Sequence, residues 1–268
     1  MTPPVGDGGF ARWLAARAGD ELLALREKLG YEDPAGLRAA GDKRSHDLLV
    51  NELARGRPGD AVLSEEAAAD DVAARRSADR VWIVDPLDGT REFAEPGRTD
   101  WAVHVALWSH QLGLEAGAVA LPAQHRVLAT DQPPAYPPLP DPGAAGELPR
   151  IRIAVSRTRP PDFLAGVVAE LGAEPVPLGS AGAKIAAVVT GEVDAYLHAG
   201  GQYEWDSAAP VAVALATGLH ASRIDGSTLS YNQVDPRLPD LLVCRRDLAD
   251  RLLAAVARHA RHTEEEVR

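Results

Sequence analysis

The stretch Asp85-Pro86-Leu87-Asp88-Gly89-Thr90 arrives directly off the apolar run Val81-Trp82-Ile83-Val84, placing two carboxylates, a proline-stiffened turn and a glycine where a strand should end. Mg²⁺ takes oxygen ligands at about 2.0–2.1 Å in near-octahedral array, with one or two carboxylates supplemented by water and substrate phosphate oxygens. Asp85 and Asp88 are therefore candidates to share one or two such ions. Pro86 fixes φ and removes a donor, and Gly89 lets backbone approach an anion without a Cβ in the way. Thr90 offers a hydroxyl able to orient a water. The same spacing also suits a plain turn in which both aspartates bond their own backbone. Two further acids stand at comparable boundaries, Glu65 in Leu63-Ser64-Glu65-Glu66 and Asp206 in Glu204-Trp205-Asp206-Ser207. Taken alone, each also reads as an acid at a helix start.

Together, Leu63-Ser64-Glu65-Glu66, then Trp82-Ile83-Val84-Asp85-Pro86-Leu87-Asp88-Gly89-Thr90-Arg91-Glu92-Phe93, then Trp205-Asp206-Ser207-Ala208-Ala209 resemble the three signature motifs of the inositol monophosphatase-like superfamily, in order and with plausible spacing. The Leu-Ser-Glu-Glu form, and the basic residue plus Glu-Phe after Asp-Gly-Thr, resemble its CysQ branch of 3'-phosphoadenosine 5'-phosphate phosphatases more than inositol monophosphatases proper. The matches run from about Asp42 to Asp206.

With 268 residues, 46% hydrophobic and 25% charged, the chain has the composition of a globular protein with one large or two modest cores. No apolar run approaches the roughly 20 residues that cross a bilayer, and the N-terminus lacks the basic-then-apolar pattern of a signal peptide. No membrane association or export is expected. The single cysteine, Cys244, lies in the apolar Leu241-Leu242-Val243-Cys244, which suits a buried strand and a reducing cytoplasm. A formal charge of −11 argues against nucleic-acid binding, which relies on basic patches. It does not exclude a phosphate substrate, because divalent ions turn an acidic pocket locally cationic. The histidines form no metal-binding spacing, so zinc is not expected.

Apolar periodicity predicts a helix from Phe10 to Leu29 and a second from Lys43 to Arg55, with Asp42 just ahead of it as N-cap or catalytic acid. Strands are expected at Val62-Leu63, Val81–Val84, Trp101–Trp108, Leu114–Ala120, Ile151–Val155, Asp194–His198 and Leu241–Val243. Helices are expected at Asp162–Leu171, opening from Gly179-Ser180-Ala181-Gly182-Ala183-Lys184 and running through Val189, at Ser207–Thr217 and at Leu248–Ala257. Strands alternating with helices in the second half indicate a parallel or mixed sheet. These readings divide the chain into an α+β metal-binding half over 1–130, a proline-rich linker over 131–149, and an α/β half over 150–268 that contributes Asp206 and substrate contacts. The resemblance implies an α/β fold, α+β overall, layered α-β-α-β-α as in inositol monophosphatase and fructose-1,6-bisphosphatase.

The resemblance also implies a division of labour at the site, with two or three Mg²⁺ ions. Glu65, Asp85 and the Leu87 carbonyl would hold the ion that activates water. Asp85, Asp88 and Asp206 would hold a second that polarises the leaving oxygen, and Glu65 with Asp42 a weaker third. Asp42 and Thr90 would orient and deprotonate the water, and the backbone N–H groups of Gly89 and Thr90 would hold phosphate oxygens. Asp42 departs from the family pattern, since Ala39 stands where a threonine is expected. Lys184, one of three lysines, is the candidate for a second phosphate or else a solvated surface lysine. Gly182 and Glu204 are candidates for the sugar pocket. The expected activity is metal-dependent removal of the 3'-phosphate from 3'-phosphoadenosine 5'-phosphate or its 5'-phosphosulfate in sulfate assimilation, inhibited by lithium. Inositol 1-phosphate and fructose 1,6-bisphosphate are the alternative small phosphorylated substrates. Relatives in the superfamily are often homodimers, so a homodimer is expected.

Overall fold

Two long helices lead the chain, because their apolar residues recur on single stripes. In α1 (Asp7–Leu29) the buried Phe10, Leu14, Ala18 and Leu22 fall at four-residue spacing, and in α2 (Pro34–Gly56) Leu37, Gly41, Ser45, Leu49 and Leu53 do the same. The computed structural model describes residues 2–67, 72–137 and 150–266. The proline-rich linker reading, residues 131–149, falls largely on 138–149, outside the described residues.

A first sheet follows, with strands β1 (Ala61–Ser64), β2 (Arg80–Asp88), β3 (Ala102–Ser109), β4 (Gly113–Leu121) and β5 (Arg126–Ala129) in that spatial order. β1 and β2 are parallel and the rest antiparallel. A 3-10 turn at Glu65–Ala67 and α3 (Val72–Ser77) lie between β1 and β2, and α4 (Thr90–Phe93) follows β2. The second sheet is built from β6 (Arg152–Ser156), β7 (Glu174–Leu178), β8 (Ala195–Ala199), β9 (His220–Ser222) and β10 (Asp240–Cys244), in the order β7-β6-β8-β10-β9. It is mixed: β7, β6 and β8 run parallel, and β10 is antiparallel to both β8 and β9. The remaining helices are α5 (Leu164–Leu171), α6 (Ala181–Val189), α7 (Glu204–Thr217) and α8 (Ala249–Glu266).

Alternation along β2 shows how the layers stack. Trp82 and Val84 pack with Phe10, Leu14 and Leu49 of the leading helices, whereas Val81 and Ile83 face Ile185, Val188, Ala208 and Val211 of α6 and α7. Tyr196, Leu241 and Val243 of the second sheet share that middle cluster, and the other face of that sheet (Ile153, Leu197, Leu242, Cys244) packs on Leu164, Val167, Leu252 and Val256 of α5 and α8. The layers therefore run α1/α2, first sheet, α6/α7, second sheet, α5/α8, which is the α-β-α-β-α sandwich.

Several boundaries differ from the sequence reading. The second helix starts at Pro34, not Lys43, capped by Asp33, whose Oδ1 accepts from Gly36 N at 2.9 Å. Asp42 is thus inside α2 and caps nothing. Gly41, ahead of the expected start, is where Leu87 and Phe93 come so close that a Cβ would meet both at 2.8 Å. β2 runs on to Asp88 through Pro86, with a register shift between Asp85 and Asp88, so the expected turn is an irregularity in the strand itself. Pro175 and Pro177 hid β7, which tolerates them as an edge strand with no partner on its outer side. Cys244 is fully buried, and burial pushes its thiol up to about 12, as the strand reading implied.

Candidate active site

The irregular end of β2 is pinned from three directions. Ser45 Oγ of α2 donates to the Pro86 carbonyl at 2.6 Å, Leu87 N donates to Asp85 Oδ1 at 3.0 Å, and Thr90 Oγ1 donates to the Leu87 carbonyl at 3.1 Å. Gly89 takes φ +81, the left-handed region, and a Cβ there would lie 2.8 Å from the Ser180 Cβ, so both the turn and the approach of the second half require glycine. Asp88 reaches across to α6, where Oδ1 accepts from Ala181 N at 3.3 Å and Oδ2 from Gly182 N at 2.6 Å. Asp206, in the first turn of α7, accepts from Tyr203 N through Oδ2 at 2.7 Å. These anchors bring Asp85, Asp88 and Asp206 together with ligand oxygens all within 4.8 Å of one another.

An all-oxygen set of three acids, two of them buried, fits a hard divalent cation. The electrostatics point the same way. Burial, then the charges of Asp88 and Glu65, push Asp85 well above the usual carboxylate range. Burial and Asp88 push Asp206 up to about 8, and burial with Asp42 and Asp88 pushes Glu65 up to about 7. Asp42 rises to about 6 through burial and Glu66, against the opposing hydrogen bond from Thr90. Repulsion of this kind is relieved by a bound cation.

The acids open into a cavity of about 250 Å³, also lined by Glu65, Gly89, Thr90, Arg157, Arg159 and Lys184. Glu65 is exposed as a whole residue, but its carboxylate points into this cavity beside Asp42, Asp85 and Asp88, where its own burial and the charges of Asp42 and Asp88 account for its raised pKa; it lies outside the tight three-acid group. Asp42 stands over the site with Oδ1 3.4 Å from Thr90 Oγ1. Lys184 is not a surface lysine: it is 3% exposed, its Nζ donates to the Gly179 carbonyl and sits 5.3 Å from the Tyr196 ring centroid, and burial lowers its pKa. Ser180 caps α6, its Oγ accepting from Ala183 N at 2.9 Å.

Two expected sugar-pocket residues are placed elsewhere. Glu204 is fully buried and accepts from Asn232 N and Gln233 N at 2.6 and 2.7 Å, away from the residues that line the cavity. Gly182 lies beneath Asp88, where a Cβ would sit 2.1 Å from His104 Nε2. His104 is fully buried, held by Nδ1 on the Trp205 carbonyl at 3.0 Å, and has no room to retreat. Gly182→Ala is therefore expected to cost about 1–3 kcal/mol in a thermal or urea unfolding measurement; an unchanged midpoint would refute the close-approach argument.

Sequence reasoning passed over Arg157, Arg159, His198 and Gln202, which line the cavity. His198 comes from β8 and the others from the loops after β6 and β8, and nothing in their local spacing marks them. Arg157 pairs with Glu92 at 2.6 Å and Glu95 at 3.0 Å. His198 Nε2 and Gln202 Oε1 are buried polar atoms without a hydrogen-bond partner among the described residues.

Comparison with known proteins finds relatives over most of the chain. A 3'-phosphoadenosine 5'-phosphate phosphatase of Mycobacterium leprae is 53% identical over 260 residues, 93% of this chain and 93% of its own. The protein of the same name from Mycobacterium tuberculosis is 54% identical over 244 residues, 90% and 89% of the two chains. The 3'(2'),5'-bisphosphate nucleotidase CysQ of Escherichia coli is 27% identical over 230 residues, 81% and 91%. Among solved structures, CysQ from Bacteroides thetaiotaomicron superposes with a TM-score of 0.71 at 25% identity over 88% of this chain and 96% of its own. Mycobacterium tuberculosis SuhB superposes at 0.70 with 22% identity over 97% and 98%. The family model described as the inositol monophosphatase family matches residues 10–262, and the chain belongs to that family.

Proposed function

We propose that the chain hydrolyses the 3'-phosphate of 3'-phosphoadenosine 5'-phosphate, and of its 5'-phosphosulfate, in a reaction that depends on two or three Mg²⁺ ions. The observation that carries this reading is one cavity lined both by Asp85, Asp88 and Asp206 and by Arg157, Arg159 and Lys184. A substrate with one phosphate to lose and a second anionic group to anchor needs both sets. The printed names of the relatives at 53–54% identity support the same substrate.

Asp85, Asp88 and Asp206, with Glu65 and the Leu87 carbonyl, would hold the ions. Bound divalent cations would supply the charge that acidifies an attacking water and offsets the charge on the leaving oxygen. Thr90 and Asp42 orient that water and accept its proton; an acid raised to about 6 is matched to that task near neutral pH. The N–H groups of Gly89 and Thr90 hold phosphate oxygens at the start of α4, where Gly89 leaves room for them. Water then attacks phosphorus directly, in line with the leaving oxygen. On the family resemblance we also take the protein to act in the cytoplasm, in sulfate assimilation and as a homodimer; light scattering at the mass of one chain would remove the dimer.

The test is phosphate release with Mg²⁺ from 3'-phosphoadenosine 5'-phosphate, inositol 1-phosphate and fructose 1,6-bisphosphate. A kcat/KM at least about a hundredfold higher for the nucleotide, near 2.7 kcal/mol, is expected. Arg159→Ala should raise KM for the bisphosphate about ten- to a hundredfold and leave adenosine 3'-monophosphate unaffected, since an arginine on a phosphate contributes on the order of 1.5–3 kcal/mol. Equal rates, or a sugar phosphate turned over faster, would overturn the substrate while leaving the metal site in place.

A further inference from the structure

Glu204 and Arg75 are buried charges that line no part of the cavity, and they meet on the same short segment. Glu204 stands two residues before Asp206, and its carboxylate accepts from the consecutive N–H groups of Asn232 and Gln233 at 2.6 and 2.7 Å. Asn232 has φ +59 and is fully buried, a left-handed conformation that lets successive N–H groups converge on one anion. From the other side Arg75 of α3 donates through Nη1 to Asn232 Oδ1 and through Nη2 to the Gln233 carbonyl at 2.8 Å, and Arg76 donates to the Asn232 carbonyl.

The segment then closes around the start of α7. Glu204 N donates to the Pro236 carbonyl at 2.8 Å, Leu238 N donates to the Gln202 carbonyl at 2.9 Å, and Tyr203 pairs with Arg237. Tyr203 N is also the group that holds Asp206 Oδ2. At its other end the segment is fastened to α3, which packs on β1, the strand that runs into Glu65. Residues 231–238 are thus a clasp between the elements that carry Glu65 and Asp206.

We infer that Glu204 and Arg75 are positioning residues that hold the Glu65 and Asp206 carboxylates at the separation a shared divalent-cation cluster requires, and so set cation affinity rather than substrate affinity. This rests on the metal-dependent reading of the site. Loss of the Glu204 carboxylate or of the forked Arg75 guanidinium leaves buried partners unsatisfied on the clasp and frees the first turn of α7, whose orientation Asp206 inherits. Groups that orient ligands from behind are worth about 10–100-fold in metal affinity.

The test is calorimetric titration with Mn²⁺ in the absence of substrate, on the full chain. Glu204→Gln and Arg75→Lys are each expected to raise the Mn²⁺ dissociation constant about tenfold, with KM for substrate at saturating metal changed less than twofold. Arg223→Gln, which breaks the Arg223–Asp240 pair elsewhere, is the control for lost stability and should leave Mn²⁺ affinity unchanged. If Arg75→Lys does not fold, Glu204→Gln reads the same clasp from its other end. Lower melting temperatures with Mn²⁺ affinity within twofold of wild type would overturn the inference while leaving the metal site intact. A wild-type protein that binds no Mn²⁺ would overturn the metal reading itself and this inference with it.

Discussion

Asp85→Asn is expected to reduce kcat/KM about a thousandfold and, in the same protein, to raise the melting temperature measured without divalent cations. The first effect follows from position. Asp85 is 2% exposed and within 4.8 Å, ligand atom to ligand atom, of Asp88 and Asp206, so it belongs to any cation bound there. Removing a ligand that supports several kcal/mol of charge stabilisation in the transition state corresponds to about three powers of ten in rate. The second effect has the opposite sign because the carboxylate is destabilising when no cation is present. Burial and the charges of Asp88, Glu65 and Asp206 all disfavour its ionised form. An amide of the same shape removes that repulsion and still offers the oxygen that accepts from Leu87 N. A gain of about 1 kcal/mol would appear as about 2–4 °C. Kinetics and differential scanning fluorimetry in chelator test the pair of signs. A variant that loses activity and stability together would point to a structural aspartate, and the argument for a cation site at Asp85 would fail.

The melting temperature of the metal-free protein is expected to fall by about 5–10 °C between pH 6.5 and 8, and saturating Mg²⁺ is expected to abolish most of that fall. Asp206 is raised to about 8 in the folded protein and carries most of the effect, while Glu65 shifts in the same direction but is exposed and screened by solvent, whereas in the unfolded chain such acids titrate near 4. An acid with a raised folded pKa binds more protons folded than unfolded. Its contribution to stability is therefore complete below the unfolded value and is lost as pH rises through the folded value. The acids share protons, so their contributions do not add. His198, lowered to about 4 by burial and Lys184, acts the other way: it stays neutral when folded, and its effect lies below the ordinary histidine value near 6.5. The interval from 6.5 to 8 thus isolates the acid cluster. A metal-free melting temperature that is flat or rises over that interval would contradict the electrostatics of the site.

Asp85, Asp88 and Asp206 were legible because each sits at the end of an apolar or periodic run where the chain changes direction, and local chemistry marks such places. The layered fold was expected from the motif resemblance, and the structure shows the packing that realises it. The stripe Phe10, Leu14, Ala18, Leu22 is buried against one face of β2, and the opposed Val81 and Ile83 are buried on the other. The start of α2 was missed because its buried stripe there is Leu37, Gly41 and Ser45, too weak an apolar signal until Leu87 and Phe93 are packed against Gly41. β7 was missed because Pro175 and Pro177 are excluded from a central strand but allowed on an edge, and edge position is a property of the whole sheet.

The roles of Lys184 and Glu204 show where local reading ends. Both are charged residues beside a helix start, and in sequence both suggest a ligand contact. The folded chain buries Lys184 against Tyr196 on the cavity wall and turns Glu204 onto Asn232 and Gln233. The amino-acid sequence by itself determined most of the order of elements, the acids available to a cation and the faces that must be buried, because those depend on residues a few places apart. Which charge faces the cavity, which one clasps a loop and how far apart Glu65 and Asp206 stand were decided only by tertiary structure, because partners as distant as Arg75 and Asn232 meet only when both sheets have closed over α6 and α7.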